Sequence, residues 1–103
     1  MRPEECKDLD CVRDVLKTDL GIDEEIVLGD AGGRIAKFEG SKIVIDVARL
    51  DSFQAEIGGE SGLMSAYITG AVLYAKFGRD EAITRARKAW GDSLVIKVLE
   101  TLT

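Results

Sequence analysis

Residues 61–75, reading Ser-Gly-Leu-Met-Ser-Ala-Tyr-Ile-Thr-Gly-Ala-Val-Leu-Tyr-Ala, carry no charge at all. A helix that is apolar nearly all round has no face to give to water. It either sits at the centre of a fold or is covered by a partner. The spacing predicts a helix over 62–77, stopped at Gly78. Ala66, Gly70 and Tyr74 fall on one stripe and Ala71 and Ala75 on another, and such small residues let a second backbone come close. The run is too short for the ~18–20 apolar residues a bilayer span needs, so no membrane insertion is expected. At 103 residues and 46% apolar content, the chain is sized for a single small domain, 1–103, with one core around this helix.

The flanking segments can be read by period. Pro3, Glu4 and Glu5 suit a helix opening, proline in the first turn and acids at the positive end. Leu9, Val12, Val15, Leu16 and Leu20 then recur at helical spacing up to Gly21. This places a helix within 4–20, with Asp8 and Asp10 as alternative caps. Three strands are predicted at 25–28, 34–38 and 42–47, with Gly40-Ser41 as a tight turn between the last two. That turn sets Phe38 opposite Ile43 and Ala36 opposite Ile45, on one apolar face. A helix over 80–90 exposes Arg85, Arg87 and Lys88 and buries Ile83, Ala86 and Trp90. Residues 93–101 are Val/Ile-rich like a strand, yet Leu94, Val95, Val98, Leu99 and Leu102 make a helical stripe, and helix is the reading taken. The expected fold class is α+β: an N-terminal helix, a three-stranded antiparallel meander, then two to three helices packed on one sheet face.

Histidine and asparagine are both absent. The first absence removes Ser-His-Asp and Cys-His catalysis, imidazole metal sites and the imidazole proton shuttle. The second, with a charged fraction of 32%, leans towards a heat-adapted source. Cys6 and Cys11, if both lay on one helix, would point to different faces. They are therefore expected as two separate thiols in a reducing compartment, and zinc would lack ligands. Met1 to Glu5 shows no apolar leader, so the cytoplasm is the expected location. Net charge is −5, and residues 1–30 alone hold ten acids against four bases. Lys76, Arg79, Arg85, Arg87 and Lys88 form a local basic excess, but the overall acidity argues against nucleic acid and for a solvated helix face.

The connection over 48–61 is long for so small a chain, and such loops are usually functional. It carries Arg49, Asp51, Gln54, Glu56 and Glu60, and a short helical turn from Asp51 or Ser52 would shorten it. It ends in Gly58, Gly59, Glu60, Ser61 and Gly62, a glycine turn opening a helix, which can offer bare backbone N–H groups to an anion. The turn fits neither the P-loop nor the dinucleotide pattern. Residues 59–70, followed by Arg79-Asp80-Glu81-Ala82-Ile83, resemble the C-terminal part of ribokinase-like small-molecule kinases. The resemblance implies a glycine-rich anion hole at the start of a small-residue helix. The chain departs from that family in Ser61, where the family has glycine, and in Gly62, where it has its catalytic side chain. A plain structural role also suits the turn: Ser61 caps the helix and Glu60 favours its positive end. Asp46, Asp51, Glu56 and Glu60 could converge on a divalent cation, but their spacing fits no known loop, so no metal and no cofactor are expected.

The function expected first is therefore an interaction module that self-associates as a homo-oligomer or binds a protein partner, since the chain holds more apolar surface than one layer of helices hides. The second is anion or small-ligand binding, or catalysis, through Gly58, Gly59, Ser61 and Gly62 with Arg49, and with Asp51 or Glu60 as base or metal ligand. The third is nucleic-acid binding through the basic face of 79–88. Catalysis is the less favoured reading, because Gly62 can do no acid–base work.

Overall fold

The computed structural model describes residues 2–46, 48 and 63–101. The chain opens in a 3-10 turn, Pro3–Glu5, with Pro3 buried. Cys6 then runs extended, and the first helix, α1 (Leu9–Leu20), begins at the Asp8 cap, whose carboxylate accepts from the Cys11 amide at 2.8 Å. α1 buries Val12, Val15 and Leu16 and ends where Gly21 turns left-handed. The later of the two expected caps is not used, and the proline turn is a separate element.

Cys6 and Cys11 are joined by a disulfide, with Cα atoms 5.5 Å apart. This corrects the expectation of two separate thiols. The expectation put both residues on one helix. In fact Cys6 lies in the extended segment before the cap, so its side chain can turn back onto the first turn of α1.

The sheet comprises β1 (Glu25–Gly29), β2 (Ala36–Glu39) and β3 (Lys42–Asp46) in the order β1-β3-β2. The expected hairpin is present, with Phe38 opposite Ile43 and Ala36 opposite Ile45. The antiparallel meander is not: β1 pairs with β3 in parallel, Ile26 beside Ile43 and Leu28 beside Ile45. Composition explains the difference. Ile43, Val44 and Ile45 are apolar at three successive positions and all are buried, so β3 needs cover on both faces and a neighbour on each side. β1, which leaves Glu25 and Leu28 exposed, and β2, which leaves Phe38 and Glu39 exposed, take the edges.

Helix α2 (Leu63–Phe77) is the axis of the fold. Every residue from Ser65 to Leu73 is buried, against the N-terminal turn, α1, β2, β3 and the two helices that follow, α3 (Arg79–Trp90) and α4 (Leu94–Thr101). Of the two possibilities for an all-apolar helix, burial by its own chain is the one realised. The hydroxyls of Ser65 and Thr69, both buried, are satisfied: Ser65 Oγ donates to the Cys6 carbonyl at 2.7 Å and Thr69 Oγ1 to the Ser65 carbonyl at 2.8 Å. Gly70 is where α4 crosses, since a β-carbon there would stand 2.8 Å from Val98 Cγ1.

α3 offers Ala82, Ala86 and Trp90 to the core and leaves Ile83 half-buried. Trp90 Nε1 donates to Asp19 at 2.6 Å, tying α3 to the end of α1. The 93–101 segment is helical. Ser93 receives the Val95 amide at 3.2 Å and donates to Glu4 at 2.8 Å, which ties α4 to the N-terminal turn. One core cluster joins Cys6, Ile26, Ala36, Ile43 and Ile45 with residues of α1, α2, α3 and α4. The fold is α+β, with a mixed sheet.

Candidate functional site

The residues expected to bind a ligand are Arg49, Asp51, Gly58, Gly59, Glu60, Ser61 and Gly62, and all lie outside the described residues. Of the four carboxylates considered for a cation, only Asp46 is described, buried at the end of β3. Among the described residues no group of three or more Cys, Asp and Glu could hold a metal ion. No described helix is long and apolar enough to cross a membrane.

The expected basic face divides when its partners are traced. Arg85 pairs with Glu81 at 3.0 Å and lies over the Phe77 ring, 4.3 Å from its centroid. Lys76 reaches Glu24 at 2.7 Å, and this ammonium, through its hydrogen bond above all, holds the Glu24 carboxyl below its ordinary value. Arg79, Arg87 and Lys88 are exposed. Two of the five cations thus serve the fold itself.

The described surface offers a different site, on the outer edge of β2. The Asp46 amide donates to the Ile35 carbonyl at 2.9 Å, and Lys37 faces Val44 and Glu39 faces Lys42. In an antiparallel ladder, alternate residues exchange both backbone bonds with the same neighbour. Ile35, Lys37 and Glu39 therefore turn their backbone groups to β3. Ala36 and Phe38 turn theirs outward, where no described strand pairs with them.

Beside that edge runs a groove of about 530 Å³, lined by Gly33, Arg34 and the β2 residues Ala36 to Phe38 together with Tyr74 and Ala75 of α2. Phe38 lies on the helix side of the sheet, like its partner Ile43, yet is 45% exposed. With Leu28, it is one of two large apolar side chains exposed among the described residues. The opposite edge of the sheet is protected. Arg13, held by Asp10 at 2.9 Å, donates to the Ile26 carbonyl of β1 at 2.7 Å, placing a charged side chain across the groups an incoming strand would need.

A second hollow, of about 390 Å³, lies where Arg2, Glu5 and Asp19 meet Trp90; in its lining the Arg2 amide donates to Glu5 and Trp90 Nε1 donates to Asp19. Sequence reasoning sets Phe38 on the apolar face with Ile43 and so misses the β2 edge. What makes β2 an edge is the pairing of β1 with β3, and the apolar triplets Ile26-Val27-Leu28 and Ile43-Val44-Ile45 are alike in sequence, so the sequence held no signal that singles out β3 as the central strand. Comparison with known proteins finds no matching family, no matching curated protein and no matching solved structure, so the resemblance to ribokinase-like kinases gains no support.

Proposed function

We propose that this protein is an interaction module that joins another polypeptide by strand addition at the outer edge of β2. The observation that carries the reading is the outward-turned backbone of Ala36 and Phe38 beside a groove lined in part by Tyr74 and Ala75. An added strand takes its main-chain hydrogen bonds from the edge and sets alternate side chains into the groove. The basis for association thereby moves from the sequence to the edge. α2, the apparent source of surplus apolar surface, is covered within the chain, and Phe38 remains uncovered.

A cytoplasmic setting for this module goes with a cell whose interior keeps disulfides, as in hyperthermophiles, since Cys6 and Cys11 are bonded. The missing asparagine points the same way.

Two substitutions at one position test strand addition. Phe38→Ala removes the ring but keeps the amide, whereas Phe38→Pro also removes the outward N–H and leaves the bonds to β3 in place. Association, followed by sedimentation at micromolar concentration with the fold checked by circular dichroism, should weaken in the first variant and vanish in the second. Equal association of the two folded variants would exclude strand addition.

A further inference from the structure

We infer that the strand received at this edge is β2 of a second copy of the chain, paired antiparallel with Phe38 opposite Phe38 of the partner subunit. The inference rests on the strand-addition reading and adds its occupant and register.

Only residues whose backbone groups turn outward can hydrogen-bond across a new antiparallel pair, so Ala36 and Phe38 must meet outward-turned residues of the second copy. A two-fold pairing then has three registers. With Ala36 opposite the partner subunit's Phe38, the pair is centred on Lys37, and Lys37 meets the partner subunit's Lys37. Like charges directly opposite are destabilising. With Ala36 opposite the partner subunit's Ala36, Lys37 meets Ile35, and Phe38 meets Arg34. That register matches neither charge nor apolar surface.

With Phe38 opposite the partner subunit's Phe38, Lys37 of each chain faces Glu39 of the other. Both pairs occupy non-hydrogen-bonded positions, where side chains approach most closely. Lys37 and Glu39 already lie on one face of β2, 3.3 Å apart, so two copies assemble a ring of four alternating charges on the outer face of the sheet. On the helix side the two Phe38 rings meet beside Tyr74 and Ala75. Ala36 faces Gly40 there, and neither carries a side chain that would crowd the rings. The edge presents the aromatic that its own groove accepts, which is the self-complementarity a two-fold interface requires. Two three-stranded sheets join as one of six, and the edges that remain are the β1 edges crossed by Arg13.

The test is a charge exchange at solvent-accessible positions, which leaves the core untouched. Lys37→Glu and Glu39→Lys should each weaken self-association about tenfold or more, by setting like charges opposite one another. An equimolar mixture of the two variants should regain wild-type affinity as a heterodimer, and the double variant Lys37→Glu/Glu39→Lys should regain it as a homodimer. Analytical ultracentrifugation of each species reads these outcomes. A wild-type chain that stays monomeric, or a dimer indifferent to both charge changes, overturns the inference. If that indifferent dimer is still abolished by Phe38→Pro, strand addition stands and only the register fails. If it survives Phe38→Pro, strand addition falls as well. A monomer whose Ala36 and Phe38 amides become protected on adding a synthetic extended peptide would mean a foreign strand, and would also overturn it.

Discussion

Gly70 marks a tight crossing in the core. Its missing side chain lets α4 cross α2 with Val98 where a β-carbon would stand. Gly70→Ala should gain ~1 kcal/mol of helix propensity and lose more to overpacking, for a net loss of about 1–2 kcal/mol in urea denaturation. The loss should shrink when Val98→Ala is present, because the two residues share one space. Glu24 and Lys76 form the other telling residue pair. Lys76 holds the Glu24 carboxyl below its ordinary 4.5, so the folded state binds its proton less readily than the unfolded chain. The stability this contributes is fully present above about pH 4.5 and is lost as the pH falls through the lowered folded value. Glu24→Gln should therefore give a shallower acid-side decline in stability against pH, and Lys76→Met should return the Glu24 carboxyl, followed by NMR titration, towards its ordinary value.

At the scale of elements, the N-terminal turn ties the structure together more than its length suggests. Cys6 is bonded to Cys11 of α1, the Cys6 carbonyl accepts from Ser65 of α2, and Glu4 accepts from Ser93 at the head of α4. Reduction of the disulfide frees a short loop, for which the chain-entropy relation gives about 2 kcal/mol. Thermal melts with and without a dithiol reductant should differ in Tm accordingly, and Cys11→Ser should melt at the reduced value. Much at this scale was legible in the sequence. The Gly40-Ser41 turn set the β2–β3 register and the stripe through Val95 and Leu99 marked α4, because both follow from neighbours in the chain. The pairing of β1 was not legible by that route, since parallel neighbours are chosen by what β3 must bury and not by the loop between β1 and β2.

For the whole molecule, the proposed dimer makes a prediction independent of any register. A native state that associates is stabilised by mass action, so the Tm of the wild-type chain should rise with protein concentration, while that of Phe38→Pro should not. Differential scanning calorimetry over a hundredfold concentration range, about 2.7 kcal/mol of mass-action leverage at most, checks this. A flat wild-type Tm would count against association of any kind.

The sequence by itself determined that α2 would be buried, roughly where the described helices and strands lie, and that histidine-based chemistry is excluded. These follow from side-chain type and from periods of a few residues, which act locally. The tertiary structure alone decided that α2 is covered by its own chain, that Cys6 meets Cys11, and that β3 lies between β1 and β2. It also decided that Phe38 stands at an edge with its backbone turned outward. Each of those depends on which surfaces meet once the chain has closed on itself, and the spacing of residues along a strand or helix carries no record of the neighbour it will find.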